Sequence, residues 1–526
     1  MHLKLLDIAV IVVYATLVLA ISQLLQRGKR SAPDEEQDAT PARRALPWWA
    51  IGTSLIAANI SAEQIIGMSG SAYAFGLAIA SYEWLAAFAL IVVGKYFLPV
   101  FLKNQISTMP EFLKRRYGSK TQITLAVFWV CLYTLVALTA IMWLGATAVH
   151  AVTGLSLLMS IILLALVAGN YALYVGLRPT AYSDVLQVCM LVLGGLVICF
   201  IAIEKISAAF GGGGLQGLFF GFHTLTTQLP QHFHMILTPD NPYYKYMPGL
   251  TALVGGIWVI QFGYWGFNQF IVQGALAAKS IRDVQKGVVL AAFLKLLMPV
   301  LVVLPGIAVA LLLPHLSRSD EAYPQLMNLL PAGVLGFVFV ALVAAIISSM
   351  GSALSSIATI FTVDVFKVLH KGASKRLLVI VGRFAAIGAL FVAMVTAMPL
   401  LGNFDQAFQY IQEYNGFFSP GITVVFILGL FWKRATETGA LVAAVGSLIF
   451  STLYRVFLPQ IPFMNRIGYV FLICLALMVT VSLADKRKPQ TSTIDVSGIN
   501  FSTGAAYNIA AVLIVAILVA LYAVAW

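Results

Sequence analysis

Charge is what this sequence has least of. Asp, Glu, Lys and Arg make up 10% of its 526 residues, where a soluble domain carries roughly 25%. A soluble fold of this size could not cover its surface with so few charges, and 60% of the residues are hydrophobic, with a mean hydropathy of +0.93. Cysteine is as sparse. Cys131, Cys189, Cys199 and Cys474 lie in apolar runs without metal-ligand spacing, which excludes a disulfide scaffold and reads as small buried hydrophobes. No Walker motif, kinase signature or sizeable polar domain interrupts the chain. A pump with its own ATPase, or a sensor kinase, would need a partner chain. The apolar runs are long and do not alternate, so they read as helices and not as barrel strands.

Stretches able to cross about 30 Å of hydrocarbon occur near 4–24, 47–76, 79–102, 120–150, 155–175, 183–203, 249–276, 285–313, 332–366, 377–400, 405–432, 437–457, 465–484 and 503–525. The fold class is therefore an all-α polytopic membrane protein of about fourteen transmembrane helices in a lipid bilayer. An even number places both termini on one side. Arg27, Lys29 and Arg30 follow the first apolar run, the reverse of a cleavable signal peptide, so the first span is read as retained with its N-terminus outside. The cytoplasmic loops then hold 23 of the 32 Lys+Arg and the outer side six, as the positive-inside rule requires. The net charge of +12 thus orients the chain, and no nucleic-acid partner is expected. The longest outer loop, about 204–248, holds the glycine run Gly211–Gly214 and the pair His232 and His234, which has no evident third metal ligand.

Two spans are not plain apolar helices. The second reads from Gly52-Thr53-Ser54 through Asn59, Ser61, Glu63 and Gln64 to Gly67-Met68-Ser69-Gly70-Ser71. The seventh carries Gly255, Gly256, Gln261, Gly263, Gly266, Asn268 and Gln269 among aromatics. Each opens a block of five spans, and an odd-numbered repeat must be inverted in the membrane. Paired glycine-interrupted helices in matching positions of two halves point to a transporter's midplane site, because unwound backbone is tolerated there only where it lines a cavity. Tight small-residue packing would explain the glycines and serines but not Glu63, Gln64, Gln261 and Asn268 together.

Intramembrane charges are costly and default to functional positions. Here they are Glu63, Glu83, Lys95, Asp184, Lys295, Arg383 and Glu413. Lys95 and Arg383 are placed to snorkel to the cytoplasmic face. Glu83 and Lys295 could bond each other or the hydroxyls of a polar substrate. Glu413 sits in the run Phe408-Gln409-Tyr410-Ile411-Gln412-Glu413-Tyr414, which suits stacking against a sugar ring. Asp184 opens a span at the inner surface, where it could draw in or release a cation. A hard cation wants oxygen ligands, and a broken helix frees carbonyls. Ser348 and Ser349 in the ninth span could add hydroxyls to carbonyls at a break near Ala57 and Ile60.

Leu46-Pro47-Trp48-Trp49-Ala50, Ser54 to Gly70, Ser81-Tyr82-Glu83-Trp84, Tyr264-Trp265-Gly266-Phe267-Asn268-Gln269, Leu276-Ala277-Ala278-Lys279, Phe408 to Tyr414 and Phe431-Trp432-Lys433-Arg434 together resemble the sodium/solute symporter family. The pattern is nearest its sodium–glucose cotransporter branch and the bacterial sodium/galactose cotransporters in it, and it extends over essentially the whole chain. The resemblance implies a LeuT-like core of two inverted five-helix repeats. Residues 1–45 would be a first extra helix and cytoplasmic linker, 46–205 the first repeat, 206–247 a long outer loop, 248–435 the inverted second repeat, and 436–526 three further helices. It implies a sodium site on Ala57, Ile60, Ala345, Ser348 and Ser349, with Asp184 on the cytoplasmic ion path. It places substrate on Gln64, Glu83, Gln261, Lys295 and Gln412. It makes Met68, Tyr82 and Phe408 outer gates and Tyr264 the inner one.

Some positions depart from the galactose pattern. A serine contact is Ala86, an asparagine contact is Gln261, an arginine is Gly274, and Trp-Thr-Asp reads Tyr182-Ser183-Asp184. A site built to bond a hydroxyl rejects analogues lacking it, so these changes leave the sugar open. The expectation is a non-enzymatic symporter of a bacterial inner membrane with both termini outside. It would couple inward sodium flow to uptake of a galactose- or glucose-like neutral monosaccharide by alternating access. The rivals are another polyol, an amino acid or an organic anion on the same fold, proton coupling through Asp184 or Glu63, and a non-transporting sensor or channel.

Overall fold

The computed structural model describes residues 3–14, 16, 47–106, 108–170, 181–276, 278, 280–485 and 494–526, with backbone alone at 181–184, 214, 215 and 270. Regular structure among the described residues is helical throughout. Eleven helical stretches there are long and apolar enough to cross a membrane. One of them, Glu63–Lys103, takes in parts of two expected spans, and Leu5–Tyr14 and Leu157–Asn170 are apolar but shorter.

The elements that position the site follow in chain order. They are α1 (Leu5–Tyr14), α2 (Trp48–Asn59), α3 (Met68–Phe75), α4 (Ser81–Val92), α5 (Ser119–Thr153), α6 (Leu157–Asn170), α7 (Ala181–Ala209), α8 (Gly214–Gln228), α9 (Gly256–Phe267) and α10 (Gln269–Leu276). Then come α11 (Ile281–Leu312), α12 (Ala322–Met327), α13 (Val334–Thr359), α14 (Lys375–Leu401), α15 (Ala407–Phe431), α16 (Glu437–Phe457), α17 (Phe463–Ala484) and α18 (Ala505–Val524).

Both expected interruptions are present. α2 ends at Asn59, and Ile60 turns extended at φ −72° and ψ 101° while its N–H still bonds Ile56 O at 2.7 Å. The chain restarts through the π turn Glu63–Gly67, where the Ser61 hydroxyl accepts from the Glu63 N–H at 3.2 Å. Gly76, at φ +77°, ends the α3 segment, and a Cβ there would collide with the carbonyl of His232. The matching break in the second block falls at Asn268, φ −79° and ψ 117°, between α9 and α10. In each block the break follows an asparagine or rests on one, so side-chain amides sit where the helix ladder is open.

α11 packs against α2, α3 and α4, while α15 packs against α9, α16 and α17. Close backbone approach explains several glycines. A Cβ on Gly256 would collide with Met464 O and lie 3.3 Å from Ile467 Cβ. Gly256→Ala is therefore expected to cost about 1–3 kcal/mol through overpacking. Melting in detergent measures this, and an unchanged melting temperature would contradict the contact. Phe384 and Phe391 on α14, and Ile449 and Phe457 on α16, are exposed, as lipid-facing side chains must be in a membrane-spanning helix.

Two expectations are corrected. The segment 206–247, expected as a long outer loop, contains a helix. Its Gly211–Gly214 run leads directly into α8, which packs on α7 and α11 and exposes Phe219, Phe220 and Phe222. The glycines hid an apolar helix that lies against the bundle. Cys131 and Cys189 are exposed on apolar helices, and only Cys199 and Cys474 are buried. His232 bonds Tyr73 O at 3.2 Å and His234 bonds Trp526 O at 2.8 Å, and no group of metal-binding side chains exists among the described residues.

Candidate substrate and cation site

A buried charge pair lies beside the break in the first block. Lys295, on α11, is fully buried and donates from Nζ to Glu83 Oε2 of α4 at 2.6 Å. The same ammonium donates to Asn59 Oδ1 and sits 5.0 Å from the centre of the Trp265 ring. Of the two arrangements open to Glu83 and Lys295 in the sequence, the structure shows them bonded to each other. An ion pair this deep needs further contacts to satisfy its partners; for the cation Asn59 supplies a hydrogen bond and the Trp265 ring a cation–π contact. Asn59 Nδ2 also donates to Tyr264 Oη at 3.1 Å. One amide at the end of α2 therefore joins the charge pair to the aromatic expected as the inner gate.

The other expected contacts surround this pair. Gln261 donates to Tyr82 O at 2.5 Å and accepts from Trp265 Nε1 at 3.1 Å. Gln412 lies 3.5 Å from Glu63 Oε1. Gln64 is buried, and its Oε1 has no protein partner. An orphan buried carbonyl is costly unless something outside the protein satisfies it. Of the expected outer gates, the fully buried ring of Phe408 meets Tyr82 edge-on, centroids 5.1 Å apart at 85°, and Met68 is buried. Tyr264, Ala58 and Ser54 keep partial exposure.

The break and α13 form the cation candidate. Ala57 and Ile60 are buried at the end of α2, Ala345 and Ser349 are buried on α13, and Ser348 is half-buried. α13 packs against α2. The Ser349 Oγ is buried without a protein partner. Hydroxyl and freed carbonyl oxygens are a hard-cation donor set, so the residues present fit sodium. Asp184 lies in the first turn of α7, and its side chain is outside the described residues.

Glu413 does not face this site. It pairs with Arg466 at 2.8 Å and with Arg455, from α17 and α16. Helix phase explains the correction, since Gln412 turns inward and its neighbour turns toward the added helices. Lys95 stands 5.3 Å from the Tyr96 ring centre and Arg383 is exposed. Asn59 and Trp265 had not been assigned roles from sequence. The available signals were an asparagine directly before the break, and a Trp one helical turn after Gln261.

The family model for the sodium:solute symporter family matches residues 41–446. A sodium/glucose cotransporter of Vibrio parahaemolyticus is 45% identical over 544 residues, covering 100% of this chain and 99% of that protein. The sodium/myo-inositol cotransporter 2 of Mus musculus is 32% identical, covering 82% of this chain and 67% of its own length. A solved structure of a Na⁺-coupled sialic acid symporter, substrate-bound and outward-open, superposes with a TM-score of 0.76 at 20% identity, over 93% of this chain and 99% of that one. The fold is thus the LeuT-like one expected. With the family model matched over most of its length, this chain belongs to the sodium:solute symporter family.

Proposed function

We propose that the protein is a secondary active transporter of a bacterial inner membrane that couples inward sodium flow to uptake of a neutral monosaccharide or similar polyol. The observation that carries this reading is the buried Lys295–Glu83 pair, hydrogen-bonded to Asn59 at the helix break. It offers both donors and acceptors to sugar hydroxyls while adding no net charge, which disfavours a carboxylate cargo. Gln64, Gln261 and Gln412 supply amides around it. The named cargoes of the relatives, glucose and myo-inositol, are neutral and hydroxyl-rich in the same way.

Sodium held by the carbonyls of Ala57 and Ile60 with Ala345 O, Ser348 Oγ and Ser349 Oγ ties α2 to α13 and favours the outward-open state. This requires unequal sodium affinity in the two states. Substrate then bridges the two repeats, Met68, Tyr82 and Phe408 close outside, and Tyr264 yields inward once Asn59 releases it. Asp184 at the inner surface receives the departing ion. The fourteen-span arrangement with the five segments given above is part of this reading. Two contacts support placing both termini outside. Asp7 of α1 accepts from the N–H groups of Gly333 and Gly336 at 2.7 and 2.8 Å, and Met235 donates to Ala525 O at 2.6 Å. Both partners lie in segments expected on the outer face.

A melting screen of the purified protein across monosaccharides and inositols, with sodium or with potassium, tests the cargo class. Stabilisation by at least one neutral sugar or polyol, in sodium only, is the expected result. Stabilisation by amino acids or carboxylates alone would contradict it.

A further inference from the structure

Three oxygens without protein partners follow one face of α13 away from the cation candidate. Ser349 and Ser356 are seven residues apart, about two turns of an α-helix. Asp364 lies eight residues further on, in the π turn Ile360–Phe366 that continues α13, and a π turn takes up one extra residue. The three side chains therefore share a face and span roughly 20 Å from first to last. All three are buried, Asp364 to 1% exposure. Ser349 Oγ, Ser356 Oγ and Asp364 Oδ2 have no hydrogen-bond partner in the protein.

The face ends against α5. The π turn packs on α5 and on the short helix Met109–Arg116. Asp364 Oδ1 accepts from Gln122 Nε2 at 2.8 Å. Gln122 is 3% exposed, and its Oε1 also lacks a protein partner. Oδ2 and Oε1 are each bonded through one carbon to an atom of that hydrogen bond, so the two open oxygens flank it. An ionised carboxylate and an amide carbonyl both accept, and neither can satisfy the other. No ion pair to Asp364 occurs among the described residues. On the short helix Arg115 pairs with Glu111, and Arg116 is committed to the carbonyls of Gly429, Trp432 and Ala435. Lys114 and Glu111 act on Asp364 from a distance with opposite signs. Lys114, Lys120, Lys367, Lys375, Arg376 and Arg383, from the elements around the turn, are exposed. A buried carboxylate is costly unless a countercharge meets it, and one amide N–H is not a countercharge.

We propose that Asp364 and Gln122 form an inner alkali-cation site, reached from the α2–α13 site along the serine face of α13. Asp364 Oδ2 and Gln122 Oε1 are hard oxygen donors of the kind such an ion takes, and the ion supplies the charge that the carboxylate lacks. Ser356 stands between this site and Ser349, so an ion moving along α13 meets an oxygen about every two turns. Gln122 follows the basic run Lys114–Lys120, and Asp364 precedes the basic run Lys367–Arg376. Both runs are expected on the cytoplasmic face, which makes this the inner end of the path. Asp184 stands on α7, another neighbour of α13, so the site adds a second carboxylate to the inner end. The proposal takes the identity of the ion and its inward direction from the sodium-coupled reading above, on which it rests.

The test is equilibrium binding of radioactive sodium to the purified full-length protein in detergent, with choline as the replacing cation and no sugar present. The unsubstituted protein is expected to show two components. Ser349→Ala should weaken one of them roughly tenfold, and Asp364→Asn should remove the other. Asparagine keeps the side chain's size and an acceptor for Gln122, and an undiminished melting temperature in choline checks that the fold is intact. Gln122→Met, of similar volume, offers a second route and should weaken the same component severalfold. Unchanged sodium binding in either variant would overturn the proposal and leave the carboxyl to a proton or a water. Loss in Asp364→Asn with no effect of Ser349→Ala would keep this site and remove the α2–α13 one, and the converse would remove only this one. Absence of sodium binding in the unsubstituted protein would overturn both.

Discussion

Lys295→Met is expected to abolish uptake and to lower stability by about 3–5 kcal/mol. The substitution strands Glu83, which is only 2% exposed, without its cation. It also removes the donor that Asn59 accepts and the charge over Trp265. A lone buried carboxylate must be neutralised or hydrated, and either response disturbs the break at Asn59–Ile60. Glu83→Gln combined with Lys295→Met removes both charges, and most of the stability should return, because two neutral groups of similar size no longer carry a desolvation cost. Uptake should stay lost in the double variant, since the hydroxyl-binding charges are gone. Melting in detergent and sugar uptake in vesicles measure the two effects separately. Equal melting of single and double variants would show that the pair is not an energetic unit. Transport by Lys295→Met would remove that residue from the site.

Ser349→Ala should act on the ion and spare the fold. The hydroxyl is buried without a protein partner, so its loss breaks no protein hydrogen bond, and melting without sodium should be unchanged or slightly higher. Sodium half-saturation of uptake is expected to rise roughly tenfold, equivalent to about 1.4 kcal/mol. Coupling is reciprocal for binding. The same variant should therefore show weaker sugar binding at a fixed, subsaturating sodium concentration, while sugar binding without sodium stays as it was. An unchanged sodium dependence would take Ser349 out of the cation site.

Much of this arrangement was legible in the residues, and for a physical reason. Asparagine and glutamine are costly in a lipid-facing helix, so their clustering with glycine around Asn59 and Asn268 marked the two breaks. Charges are so expensive at membrane depth that Glu83 and Lys295 demanded a partner before any geometry was known. Charge alone misleads where helix phase decides. Glu413 stands next to Gln412, yet the two point to different neighbours, and only packing against α16 and α17 shows it. The parts of Asn59 and Trp265 are tertiary, since they matter through a lysine more than 200 residues away in one case and through an aromatic face in the other. α8 was masked by the glycines at its start.

The central claim is that sodium held at the α2 break drives sugar inward, and one measurement addresses it directly. Purified protein in sealed liposomes is given the sugar that stabilises it, with sodium outside and potassium inside, or with sodium at equal concentration on both sides. The account predicts transient accumulation of sugar above its outside concentration with the gradient, and equilibration alone without it. Equal sugar levels under both conditions would contradict it.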